Sequence, residues 1–129
     1  MSEWAKQLFA VNMIVGDLEA AKSFWREVLG IAPLAEEDDL AICRLGETFF
    51  ALRHDPSRSA TPADEYLELA KEGAGQFSIV VDDVDAVYAE LKAHGVTIVD
   101  GPADRDWGMR TVSFVDPSGY TWSVAQDLP

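Results

Sequence analysis

The chain has 129 residues, a length that suits one domain or two small related modules sharing a core. Hydrophobic residues at 48% and charged residues at 26% are ordinary globular values and exclude wholesale disorder. Acids outnumber bases 23 to 10, and a formal net charge of -13 repels phosphate backbones and anionic membrane surfaces, so neither nucleic acid nor a membrane is an expected partner.

The start, Met1-Ser2-Glu3-Trp4, lacks the basic-then-apolar layout of a secretory signal. No apolar run approaches the ~20 residues of a membrane span. A cytoplasmic location is expected. The first regular segment runs Ala10–Val15 as a β-rich stretch, turns at Gly16-Asp17, and continues as a helix. There Leu18, Ala21, Phe24, Trp25, Val28 and Leu29 share one face, and Gly30 ends it. Asp17 is placed to cap that helix, because its carboxylate can accept an orphan N–H at the positive helix end. Strand signals follow at Ile31–Ala35, Leu40–Leu45 and Thr48–Arg53, with Gly46-Glu47 as a tight hairpin turn. Cys43 sits in the second of these strands. As the only cysteine it can form neither an internal disulfide nor a thiolate zinc cluster, and it reads as a buried, inert thiol.

A connector rich in Pro, Ser and Asp spans residues 56–73 and becomes helix-like at Pro62–Lys71. The opening pattern then recurs. Gln76–Val81 lies over Ala10–Val15, Asp83 over Asp17, and Ala86 over Ala20. Val84, Val87, Tyr88 and Leu91 form the second apolar helix face, closed by His94-Gly95. Strands are expected at Val96–Val99, Arg110–Phe114 and Thr121–Gln126, the last two joined by the turn Asp116-Pro117-Ser118-Gly119. The fold class is therefore α+β, two βαβββ modules, about 5–55 and 74–128, within a single domain. Laid side by side, the two sheets would make a curved mixed sheet with helices on the convex side and a cup on the other. Small-molecule sites form in such concavities.

Three motifs carry a family resemblance. Ile14-Val15-Gly16-Asp17-Leu18-Glu19-Ala20-Ala21 through Gly30 resembles the opening of the vicinal oxygen chelate superfamily. Val81-Asp82-Asp83-Val84 with Leu91–Val96 resembles its second module, and Phe114–Trp122 its closing hairpin. The resemblance spans nearly the whole chain. It implies the fold of glyoxalase I, bleomycin-resistance proteins and extradiol dioxygenases, but unrelated chemistries share that scaffold. Metal-dependent members carry His, Gln or Glu at four strand positions. By the resemblance these fall on Ala10, Gln76, a position near Ala51, and Ser123. Alanine has no donor atom and a neutral serine hydroxyl is a poor substitute for carboxylate or imidazole, so no metal and no cofactor are expected.

Strand alternation selects what else would face the cup. Asn12, Phe49, Arg53, Gln76, Ser78 and Ser123 share the face of the aligned positions. Pairing Leu45 with Thr48 adds Arg44, and pairing Phe114 with Thr121 adds Arg110. Two readings of Arg44, Arg53 and Arg110 stay open: recognition of a carboxylate, phosphate or carbonyl, or pairing with the abundant Asp and Glu. Trp107, in a Trp-Gly pair similar to that of bleomycin-resistance-like members, either stacks on a flat ligand or packs at a subunit seam. Phe24 and Trp25, on a helix, read as core or interface, and Trp122, out of phase with Ser123, as core. The expected function is metal-independent binding or sequestration of a small molecule by a homodimer. The alternative is a metal-independent lyase or isomerase with His54 or Glu47 as its acid or base, and a divalent-metal glyoxalase or dioxygenase stands behind both.

Overall fold

The computed structural model describes residues 3–55 and 76–129; the helix expected at Pro62–Lys71 and the connector at 56–73 lie outside the described residues. The chain divides into two units, residues 1–60 and 61–129, and each holds one four-stranded sheet. In the first unit β1 (Ala10–Val15) leads to α1 (Leu18–Ser23), then β2 (Ala35–Glu37), β3 (Leu40–Leu45) and β4 (Thr48–His54), in sheet order β1-β4-β3-β2. The second unit repeats this with β5 (Gln76–Val80), α2 (Val84–Ala93), β6 (Thr97–Asp104), β7 (Met109–Val115) and β8 (Thr121–Asp127), in order β5-β8-β7-β6. Each sheet is mixed: β1 runs parallel to β4 and β5 to β8, while the remaining pairs are antiparallel. The α+β class and the doubled βαβββ order are as the sequence predicts.

Both acidic turns cap their helices. An Asp17 carboxylate oxygen accepts from the Ala20 N–H at 3.0 Å, and Asp83 accepts from Ala86 at 3.1 Å. These bonds satisfy two donors that a helix start leaves without intrahelical partners. The second helix ends by the glycine device expected of it. Gly95 takes φ +73°, its N–H meets the Lys92 carbonyl at 3.0 Å, and the Val96 N–H meets that of Leu91 at 3.0 Å.

The first helix departs from expectation. After Ser23 the chain widens into a π-helical turn over Phe24–Val28, where the Leu29 N–H reaches back to the Phe24 carbonyl at 3.2 Å. The extra residue keeps both Phe24 and Trp25 buried, and the Trp25 ring lies 5.0 Å from Phe50. Two strand boundaries also move. Ile31–Leu34 is not a strand, because Pro33 brings no N–H to a ladder; pairing begins at Ala35, opposite Ile42. At the other end of the chain, β6 continues past Val99 to Asp104 through two register shifts. Gly101 makes that possible: its φ is +89°, and a Cβ there would lie 2.5 Å from the Thr111 carbonyl oxygen. An edge position in its sheet also lets β6 tolerate Pro102.

Alternation gives each sheet one face under its helix. In the first unit this face holds Met13, Val15, Ala41, Cys43, Phe50 and Leu52, packed beneath Leu18, Ala21 and Trp25. In the second it holds Val112, Phe114, Trp122 and Val124 beneath Val84 and Leu91. Full burial of each large side chain contributes about 1.5–3 kcal/mol. Burial pushes the Cys43 thiol up to about 11, which leaves it protonated and unreactive near neutrality, as the apolar run predicts. Lys22 bridges the helix to β2, its Nζ lying 2.7 Å from Glu19 and 3.0 Å from Glu36. These hydrogen bonds, Glu19's first, raise its pKa. None of the described helices is long and apolar enough to cross a membrane.

Candidate functional site

The faces turned away from the helices carry the candidate residues, and cross-strand register decides who belongs. On the first sheet, Ala10 and Arg44 both flank Phe49. Asn12 and Ile42 flank Ala51, and Ile14 and Leu40 flank Arg53. Residues paired across a ladder point the same way, so these rows form one open face. Asn12, Arg44, Phe49 and Arg53 are therefore together, as alternation predicts. Arg44 is held in place: its Nε donates to the Gly46 carbonyl at 2.8 Å, and its guanidinium carbon lies 5.7 Å from the Phe49 ring centre. Arg53 is exposed and makes no ion pair among the described residues.

On the second sheet Gln76 pairs with Thr121, Ser78 with Ser123, and Val80 with Ala125. The two serine oxygens are 2.6 Å apart. Neither serine is hydrogen-bonded to an imidazole or a carboxylate among the described residues, so nothing here draws a proton from either hydroxyl.

Arg110 does not belong to this face. The sequence reading paired Phe114 with Thr121, whereas β7 and β8 pair Phe114 with Trp122 and Val115 with Thr121. That slip of one residue moves a whole strand to the other side of its sheet. Arg110 lies opposite Gln126, whose side-chain oxygen accepts from the Val84 N–H at the start of α2. Its guanidinium bonds Asp85 at 2.9 Å and Asp104 at 3.0 Å, and these contacts, Asp85's first, raise its pKa. Of the two readings open for this arginine, pairing with acids is the one realised. Val112 moves with it to the helix side. The residues that replace them on the open face, Thr111, Ser113 and Val115, were missed. Counting β7–β8 pairs outward from a loop at Asp116–Tyr120 would have found them.

Trp107 stands in the turn between β6 and β7, 65% exposed, with Gly108 closing the turn by an N–H to the Arg105 carbonyl at 3.1 Å. His54 lies on the helix side of β4, level with Val15, its Nδ1 3.5 Å from Asp39. His94 occupies the C-terminal cap of α2.

With these faces in place, comparison with known proteins decides the family. The model of the Glyoxalase/Bleomycin resistance protein/Dioxygenase superfamily matches residues 7–124 and so spans both units. The chain belongs to this superfamily. It is 29% identical over 116 residues to the uncharacterized protein YraH of Bacillus subtilis (strain 168), covering 86% of this chain and 91% of that one. It is 27% identical over 112 residues to glutathione transferase FosA of Serratia marcescens, covering 85% of this chain and 73% of that protein. Among solved structures it resembles TnmS3, an antibiotic binding protein from Streptomyces sp. CB03234. The TM-score is 0.72 and the identity 25%, over 98% of this chain and 99% of that one.

Superfamily membership raises the question of a metal, and the chemistry of the aligned positions answers it. Ala10 and Ala51 present methyl groups, and Ser123 presents a hydroxyl already bonded to Ser78. Gln76 alone offers a donor of the expected kind. Among the described residues no group of three His, Cys, Asp or Glu side chains converges. These residues do not fit the divalent-ion site that the resemblance implies.

Proposed function

We propose that this superfamily member binds a small organic molecule on its open sheet faces and performs no metal chemistry there. One observation carries this reading. Among the described residues the open faces offer aromatic, amide, hydroxyl and guanidinium groups, but no hydroxyl beside a base and no carboxylate or imidazole donor set. Such groups orient and hold a ligand. They supply neither an activated nucleophile nor a Lewis acid. The likeness to TnmS3, an antibiotic binding protein, supports small-molecule binding. The proposed contacts are Asn12, Arg44, Phe49 and Arg53 on the first sheet and, separately, Gln76, Ser78 and Ser123 on the second, with Trp107 in the turn between β6 and β7. A homodimer would give cover to Trp4, Leu8 and Phe9, which are 84%, 62% and 71% exposed.

The test is a thermal-shift screen of the purified protein against divalent metals, antibiotics, and small carboxylates and phosphates, with elemental analysis alongside. A ligand that binds only the folded state raises the unfolding midpoint. The expected result is stabilisation by an organic compound that is recovered unchanged, with no stoichiometric metal. Stoichiometric metal whose removal lowers the midpoint overturns the reading.

A further inference from the structure

The acidic composition makes the placement of the arginines informative. In a chain with 23 acids and 10 bases, a guanidinium has carboxylates within easy reach, and three of the five described arginines find one. Arg26 meets Glu36 at 3.2 Å, Arg105 meets Asp100 at 3.0 Å, and Arg110 meets two aspartates. Arg44 and Arg53 have no carboxylate partner among the described residues, and both lie on the open face of the first sheet. They stand at opposite ends of it. Arg44 is level with Phe49 and Arg53 with Leu40, so four residue steps separate them, roughly 13 Å of strand. Between them lie Ile42 and the buried Ala51, an apolar floor with the Asn12 amide at its side. The ring of Phe49 is tilted against Phe9, 5.4 Å between centres, and closes one end.

We infer that this face takes an organic anion, a carboxylate or phosphate carried on a compact flat body. Arg53 meets the charge, and the body lies across Ile42 and Ala51 toward Phe49. The assignment rests on the small-molecule reading above and narrows it to one charge class. A guanidinium accepts such groups in bidentate fashion, and charge-assisted bonds of this kind are about twice as strong as neutral ones. Arg44 is preoccupied by the Gly46 carbonyl and the Phe49 ring. It steers the ligand and shapes the end of the face, leaving Arg53 as the free anchor. The outer field of the protein repels anions at long range, but at contact distance, inside the ~10 Å screening length of a 0.1 M salt solution, the adjacent Arg53 dominates.

Four probes of one shape and different charge test this: benzoate and phenylphosphonate as anions, benzamide as neutral, benzylamine as cation. Each is titrated against the full chain by calorimetry and thermal shift. Benzoate or phenylphosphonate should bind more tightly than benzamide, and the better of the two separates a carboxylate site from a phosphate site. Arg53→Gln should weaken the anion roughly tenfold or more while leaving benzamide unchanged. Arg53→Lys should restore only part, because an ammonium is a point charge without the planar fork. Arg26→Gln, which breaks an ion pair elsewhere, should leave anion affinity intact, and circular dichroism confirms that each variant is folded. Tighter binding of benzamide or benzylamine, or anion binding indifferent to Arg53→Gln, removes the anion assignment and leaves small-molecule binding standing. Failure of all four probes and of the wider screen to bind removes both.

Discussion

Asp116 holds a carboxylate almost out of water, 7% exposed, where three donors meet it: the Ser118 N–H at 2.9 Å, the Tyr120 N–H at 3.0 Å and the Trp122 indole at 2.9 Å. Burial disfavours the charged form and outweighs those donors, so the carboxyl titrates above its ordinary value of 3.8. The folded state therefore keeps this proton to higher pH than the unfolded chain does. The resulting stabilisation is complete below 3.8 and fades as pH rises through the folded-state pKa. Asp116→Asn turns an N–H₂ toward one of the donors and should cost about 1–3 kcal/mol. Because the variant lacks the titration, its deficit should be widest in acid and should narrow toward neutrality. Urea unfolding of both proteins from pH ~3 to ~7 checks this, and a deficit that widens with pH refutes the sign. Nothing in Asp116-Pro117-Ser118-Gly119 as a turn signal shows that its Asp would reach the indole two residues beyond the loop. That contact exists only because β8 carries Trp122 into the core beneath α2.

The elements repeat more faithfully than the residues do. Asp17 and Asp83 make the same capping bond in the two units, at 3.0 and 3.1 Å. Replacing either with Ala should cost about 1 kcal/mol, and Asn should cost less because its amide oxygen can still accept. Chemical denaturation of the single variants measures both. An unchanged midpoint in Asp83→Ala would mean that the start of α2 is held by Gln126 alone, whose side-chain oxygen accepts from the Val84 N–H at 2.9 Å. The caps were legible because each is local: an acid at the end of a β-rich run, three residues ahead of the N–H it receives. The π-helical turn at Phe24–Val28 was not legible. Leu18 through Leu29 satisfy a 3.6-residue period, and only the demand that Phe24 and Trp25 both enter the core widens the helix.

Across the molecule, the charge of -13 is unevenly compensated. Described ion pairs tie Lys22 and Arg26 to Glu36, Arg105 to Asp100 and Arg110 to Asp85, and fewer than half of the acids among the described residues meet a cation. Self-repulsion of like charges weakens a folded state, and salt screens it. Raising NaCl from ~10 mM to ~300 mM should lift the thermal midpoint by roughly 2–5 °C. A falling midpoint would mean that the exposed ion pairs outweigh the repulsion.

The sequence by itself determined the doubled βαβββ order, the caps, the inert Cys43, the core role of Trp122 and the family, because all of these follow from local pattern or from motif; that Trp25 is core, not interface, the structure decided. It also assigned Asn12, Arg44, Phe49 and Arg53 to one face, since the short Gly46-Glu47 turn leaves the Leu45–Thr48 pairing no freedom to slip. Tertiary structure decided Arg110. The loop between β7 and β8 permits more than one pairing, a one-residue slip reverses every side chain, and only the packing of Phe114 and Trp122 under α2 selects Val115 opposite Thr121. That choice turns Arg110 toward Asp85 and puts Thr111, Ser113 and Val115 on the face of the second sheet away from α2.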